Sequence, residues 1–137
     1  MSESVSITQK PGFKNLIHGI DGSRSALQIL AIAAQHKQPI LFMANTVAEL
    51  NELEDEIQFL NQKNSEILRF SDWETLPYDA FSPHQDIISQ RLETLAKLTE
   101  TKNPIVLTTV ASCLTRLCPK QHLDAQRFHL SEGQELP

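Results

Sequence analysis

A turn near the start of the chain has the spacing of a nucleotide-binding loop but lacks most of the residues that such a loop uses. It comprises Gly19, Ile20, Asp21, Gly22, Ser23, Arg24, Ser25 and Ala26. In the motif G-x-x-x-x-G-K-[ST], backbone N–H groups hold the phosphates, the Lys contacts the β- and γ-phosphates, and the hydroxyl binds Mg²⁺. Arg24, Ser25 and Ala26 occupy the positions of the second Gly, the Lys and the hydroxyl residue. Asp21 adds a carboxylate where the anion would lie.

Three interpretations of this turn stay open. It is a degenerate phosphate loop, or an ordinary strand-to-helix turn with two glycines, or a divergent nucleotide site in which Arg24 replaces the Lys. Arg is always charged and pairs with phosphate, but its side chain at this position blocks the close backbone approach that Gly permits. The first two interpretations exclude ordinary ATP hydrolysis, so we predict no catalytic residue.

A set of three residues and one further acid have types that can bind a metal ion. Cys113, Cys118 and His122 have the spacing C-x4-C-x3-H, but structural zinc takes four ligands and closer cysteines, so we expect buried, reduced thiols. Asp72 follows a short apolar run, as a Mg²⁺-binding acid does at the end of a strand. Arg69 interrupts that run, and we predict no metal site.

Composition and charge limit the classes of function. The chain has 137 residues, 40% of them hydrophobic and 21% charged, which suits one globular domain. Its net charge of -5 argues against an independent DNA-binding module, because such a module must neutralise phosphates. No apolar run is long enough for a membrane span or has the form of a secretory signal. We expect a cytoplasmic protein.

Strands and helices alternate along the sequence. Apolar runs predict strands over 13–20, 40–44, 66–71 and 105–107. Helices are predicted over 23–36, from a capping box at Thr46, from 83 after Ser82, and over 111–117 up to Pro119. The predicted inward faces consist of Leu27, Leu30, Ala33 and Ala34 in the first helix, Leu50, Leu53, Ile57 and Leu60 in the second, and Ile88, Leu92 and Leu95 in the third. The acidic residues of the second helix are expected to face solvent.

This alternation is typical of a doubly wound α/β domain with a parallel sheet flanked by helices. We predict a flexible lead-in over 1–11, the α/β domain over 12–126, and over 127–137 the first strand of a second domain. A strand with no partner at a chain end is a liability, so we expect the natural chain to continue.

An aromatic segment connects the third strand to the third helix. It holds Trp73, Tyr78 and Phe81, and prolines stiffen it against either helix or strand. Three large rings on such a loop either plug the end of the sheet or offer a partner surface.

The run DWETLPYDAFSPHQDIISQRL, from Asp72 to Leu92, resembles the N-terminal region of the bacterial transcription-repair coupling factors. The resemblance extends from about Gly12 to Glu135. That region is similar in turn to the first domain of the excision-repair protein UvrB, which has a P-loop NTPase-like fold. The phosphate loop of the coupling factors is degenerate.

The resemblance implies a repair protein that recognises stalled RNA polymerase, displaces it with ATP and recruits UvrA. The ATP- and Mg²⁺-dependent DNA translocase motor and the polymerase-binding domain would lie elsewhere in the longer protein, and no cofactor is expected here. UvrA would bind chiefly through a second domain that begins around Arg127. The implied function is a non-catalytic module, with a divergent NTPase and a standalone DNA-binding module as alternatives.

Overall fold

A computed structural model describes residues 12, 14–18, 22–36, 38–61, 65–73 and 84–126. Within these ranges it contains three strands, β1 (Ile40–Ala44), β2 (Ile67–Phe70) and β3 (Ile105–Thr109). The helices are α1 (Ser23–Gln35), α2 (Val47–Leu60), α3 (Gln85–Glu100), α4 (Val110–Cys113) and α5 (Lys120–Gln126).

The described strands form one parallel sheet in the order β1-β3-β2. Ile105 of β3 is in register with Ile40 on one side and Ile67 on the other. All five residues of β3 are buried, because this strand has a neighbour on each side and helices over both faces. A parallel pair requires a long crossover, and α2 and α3 supply the crossovers from β1 to β2 and from β2 to β3. The predicted α/β class is confirmed.

Helices α1 and α2 cover one face of the sheet. The predicted stripe of α2 is confirmed, since Leu50, Leu53 and Ile57 are at most 5% exposed and Leu60 packs against them. Their spacing of three and four residues places them on one side of a helix. The core cluster on this face consists of Ala26, Ile29, Ala44, Leu50, Leu53, Ile57, Ile105 and Leu107. The predicted inward face of α1 is wrong for Leu27 and Ala34, which are exposed, and Ala26 and Ile29 are buried instead.

Helix α3 covers part of the other face, where Leu68, Phe70 and Val106 form a second cluster with Leu95. The predicted inward face of α3 is wrong in one respect, since Leu92 is 40% exposed. Arg91, Thr94 and Ala96 are the buried residues instead. The hydroxyl of Thr94 donates to the carbonyl of Arg69 at 2.7 Å, so polar contacts with β2 set the rotation of this helix.

Several predicted boundaries differ from the structure. The strand expected over 13–20 is not formed over 14–18, where Leu16 is 83% exposed and contributes nothing to the core. Helix α3 begins at Gln85 and not at 83, with His84 as its N-cap. The helix expected over 111–117 ends at Cys113, and α5 was not predicted. Pro119 does not simply stop a helix: its carbonyl accepts the N–H groups of His122 and Leu123 at the start of α5.

Some predictions fall outside the described residues. They concern the lead-in over 1–11, the strand within 127–137, Gly19, Asp21, Tyr78 and Phe81. Among the helices in the described ranges, none is long and apolar enough to cross a membrane.

Candidate functional site

The described part of the glycine turn leads directly into α1. Gly22 has φ 58°, a left-handed conformation that glycine adopts without strain, and α1 begins at the next residue. The N–H of Ser25 donates to the carbonyl of Gly22 at 2.9 Å. That N–H belongs to the residue in the Lys position of the motif, and it is already used within the turn.

Two side chains of this turn contact other parts of the fold. Ala26 is fully buried in the core beside Ile29, so the position that would present a Mg²⁺-binding hydroxyl faces the interior. The hydroxyl of Ser23 donates a hydrogen bond to the carboxylate of Glu56 in α2 at 3.0 Å. A carboxylate beside the first residue of a helix suits the positive end of the helix dipole, which would also attract a phosphate. Arg24 is exposed and Ser25 half-buried.

A second group of chemically active residues lies at the carboxyl end of β2. Arg91 of α3 is only 3% exposed, and the carbon of its guanidinium lies 3.9 Å from the ring centroid of Phe70 and 4.1 Å from that of Trp73. The guanidinium donates to the carbonyl of Ser71 and, at 2.9 Å, to the hydroxyl of Thr115. Arginine is the cation suited to such a position, because its planar group stacks on rings while it donates in its own plane.

Charge is balanced locally in this cluster. Burial lowers the pKa of Arg91 from its ordinary value, and the nearby carboxylate of Asp72 acts in the opposite direction. Asp72 accepts from the N–H of Trp73 at 2.8 Å and from the hydroxyl of Thr109 at 3.3 Å. Its oxygens are therefore engaged inside the fold, and the geometry does not favour Asp72 as a metal ligand.

Hydroxyl groups connect Asp72 back to Arg91. Thr109 caps α4 by accepting from the N–H of Ser112 at 3.2 Å. The carbonyl of Ser112 accepts from Thr115 at 2.7 Å, and Thr115 in turn accepts from Arg91. The end of β2, the middle of α3 and the β3–α4 turn are thus joined in one hydrogen-bonded ring.

Part of this cluster is predicted from the sequence. Trp73 is predicted as a plug or a partner surface, and the structure places it half-buried against Arg91. The sequence does not predict a role for Arg91, because it lies in the middle of a helix outside any motif. The only available signal was its position beside the apolar residues Ile88, Leu92 and Leu95.

The acidic face of α2 and the cysteines also differ from expectation. Glu54 forms an ion pair with Arg69 of β2, with its side chain 18% exposed, so this acid is not merely solvated. Cys113 and Cys118 are both free, but Cys113 is exposed and Cys118 is half-buried, so the prediction that both are buried is wrong.

The predicted cap at the start of α2 is confirmed for Thr46, whereas the carboxylate of Glu49 accepts from the residue before the cap and not from Thr46 itself. The N–H of Glu49 donates to the hydroxyl of Thr46 at 3.1 Å, and the carboxylate of Glu49 accepts from the N–H of Asn45 at 3.0 Å. The acid therefore occupies the helix terminus where a phosphate would otherwise bind.

Comparison with known proteins connects this chain to transcription-repair-coupling factors. No protein-family model matches the chain. It is 37% identical over 128 residues to the transcription-repair-coupling factor of Escherichia coli, an alignment that covers 93% of this chain and 11% of that protein. The corresponding protein of Haemophilus influenzae is 32% identical over 95% of this chain and 11% of its own length. In Rickettsia conorii the values are 34% identity, 69% of this chain and 9% of the relative.

The α/β chain is therefore homologous to a short part of a DNA-repair protein. That protein is the transcription-repair-coupling factor, and the resemblance found in the sequence is confirmed. The chain spans about one tenth of the length of the relatives that it matches.

Proposed function

We propose that this chain is a non-catalytic module of a transcription-repair coupling protein. In that protein it would help to recruit UvrA and to regulate an ATP-dependent DNA translocase that displaces stalled RNA polymerase in the cytoplasm. The module itself needs no cofactor, and ATP and Mg²⁺ belong to the motor in another part of the protein.

The environment of Ala26 carries the non-catalytic part of the proposal. A residue that is fully buried cannot present a metal ligand without rearrangement of the core. Arg24 and Ser25 replace the second Gly and the Lys of the motif, and the N–H of Ser25 is bonded within the turn. Of the groups that bind phosphate in an intact loop, the Lys and the hydroxyl residue are therefore replaced, and one described backbone N–H is engaged.

Calorimetric titration of the full chain with ATP and Mg²⁺ tests this part. We expect no binding up to millimolar nucleotide. Micromolar binding that disappears in an Arg24→Ala variant would instead establish the divergent nucleotide site. Substitution of Arg24 leaves the buried residues of α1 in place, and circular dichroism of the variant checks the fold.

The partner part of the proposal rests on homology and on the resemblance to a UvrB-like module. We expect the longer coupling protein to retain UvrA in surface plasmon resonance, and to lose most of that binding when the second domain beyond Arg127 is removed. Unchanged binding after that removal would move the UvrA site into the α/β domain. Gel-shift binding of this chain to DNA at physiological salt would favour the DNA-binding alternative, which its charge of -5 opposes.

A further inference from the structure

A groove lies beside the Arg91 cluster, between α3 and the segment that connects α4 to α5. Its lining includes Trp73, Ile88, Arg91, Leu92, Arg116 and Leu117. The cavity at its base has a volume of about 70 Å³. One water needs only about 10–15 Å³ of such space, so the cavity can take the end of an aliphatic side chain.

The rim of this groove leaves apolar surface in contact with water. Leu92 is 40% exposed and Leu117 is 55% exposed. The two side chains lie on different segments but line the same groove, unlike a single isolated apolar residue, which needs no explanation on a protein surface. Covering both would remove unfavourable contact between water and apolar groups.

Charge at the groove is of one sign. The described residues that line it include two arginines and no acid. The charge of Arg91 is offset by Asp72, whereas no carboxylate in the described part of the chain pairs with Arg116, which is exposed. The groove therefore complements a negative group beside an apolar one.

The base of the groove is held in place before any partner arrives. Trp73 stacks on Arg91, and Arg91 is fixed by its hydrogen bonds to Ser71 and Thr115. Side chains that are already ordered lose little entropy on binding. Trp73 is half-buried, and tryptophan is one of the residue types that dominate the binding energy of protein interfaces.

From these observations we propose that the groove is a docking site for a segment of a partner protein in which an aliphatic side chain is flanked by carboxylates. The aliphatic group enters the cavity beside Leu92 and Leu117, and a carboxylate pairs with Arg116. This proposal is independent of the function proposed above, since it uses none of the residues of the glycine turn.

Selection of a random dodecapeptide library against the full chain tests the proposal. We expect enriched peptides that combine aliphatic residues with Asp or Glu. Binding of such a peptide should weaken at least about tenfold in Leu117→Asp, a loss of about 1.4 kcal/mol, and likewise in Arg116→Glu. Arg116→Glu should also shift the selection toward Lys and Arg.

Leu27→Asp is the matched control, because Leu27 is exposed to nearly the same extent, 53%, and lies on α1. It should leave peptide binding unchanged, and circular dichroism of each variant checks that it folds. The proposal is overturned by a selection that enriches no acidic peptides, or by peptide binding that Leu117→Asp does not weaken. It is equally overturned if sedimentation shows a dimer that Leu117→Asp dissociates, because the occupant would then be a second copy of this chain.

Discussion

The start of α1 and the end of β2 both gather chemically active residues, and the fold uses them in opposite ways. At the start of α1 the residues are contiguous in sequence and have the spacing of a known motif, yet Ala26 packs into the core and Ser23 bonds to Glu56. At the end of β2 no motif exists, yet Trp73 and Arg91 form an ordered cluster beside an open groove. The spacing of a motif can thus persist after its chemistry is lost, while a site assembled from distant segments leaves no local pattern.

The largest effect should come from removing the cation at the end of β2. Arg91→Ala deletes two hydrogen bonds and the contacts with both rings, and it leaves the carbonyl of Ser71 without this donor. We expect a loss of about 3–4 kcal/mol in the free energy of unfolding, measured by urea denaturation followed by circular dichroism. Arg116→Ala, at an exposed arginine without an ion pair in the described residues, should cost less than about 0.5 kcal/mol. Equal losses would show that the cluster does not stabilise the fold.

The next largest loss of stability is expected at the start of α1. Ala26→Thr introduces the hydroxyl residue of the phosphate motif at a fully buried position. Overpacking and burial of a hydroxyl should lower the free energy of unfolding by about 2.5 kcal/mol. The same change at Ala34, which is exposed on the same helix, should cost only the difference in helix propensity, about 0.5 kcal/mol. If Ala26→Thr cost no more than Ala34→Thr, position 26 would be free to face a ligand.

The two regions also differ in how much of each the sequence predicts. Strand β1 and the stripe of Leu50, Leu53 and Ile57 follow from hydrophobic periodicity, because residues at such spacing share one face of a helix. The rotation of α3 does not follow from periodicity, since it is decided by the hydrogen bonds of Thr94 to the carbonyl of Arg69 in β2 and of Arg91 to the carbonyl of Ser71 just after β2. These bonds join residues 25 and 20 positions apart, and no local pattern records them. Short elements such as α5 are not predicted for a related reason, because tertiary contacts outweigh their weak local preference for helix.

A smaller effect should separate two helix caps. Thr109 and Thr46 both accept the N–H of the residue three positions later. Thr46 is exposed, so Thr46→Val should cost about 1 kcal/mol, the usual loss for a removed cap. Thr109 is 2% exposed and also donates to Asp72, so Thr109→Val should cost about 2 kcal/mol. Thermal unfolding of the two variants makes the comparison, and equal shifts would show that the bond to Asp72 adds nothing to the cap.

The smallest effect should come from the carboxylate beside α1. Glu56→Gln keeps an acceptor for the hydroxyl of Ser23 and removes a negative charge, so the free energy of unfolding should change by less than about 0.5 kcal/mol. Calorimetric titration with ATP and Mg²⁺ should still show no binding, because the Lys and the hydroxyl residue of the motif remain absent. If Glu56→Gln created nucleotide binding, electrostatic repulsion alone would have closed the site. Glu56 would then act as an internal competitor for phosphate. The start of α1 would differ from the end of β2 in being a regulated site.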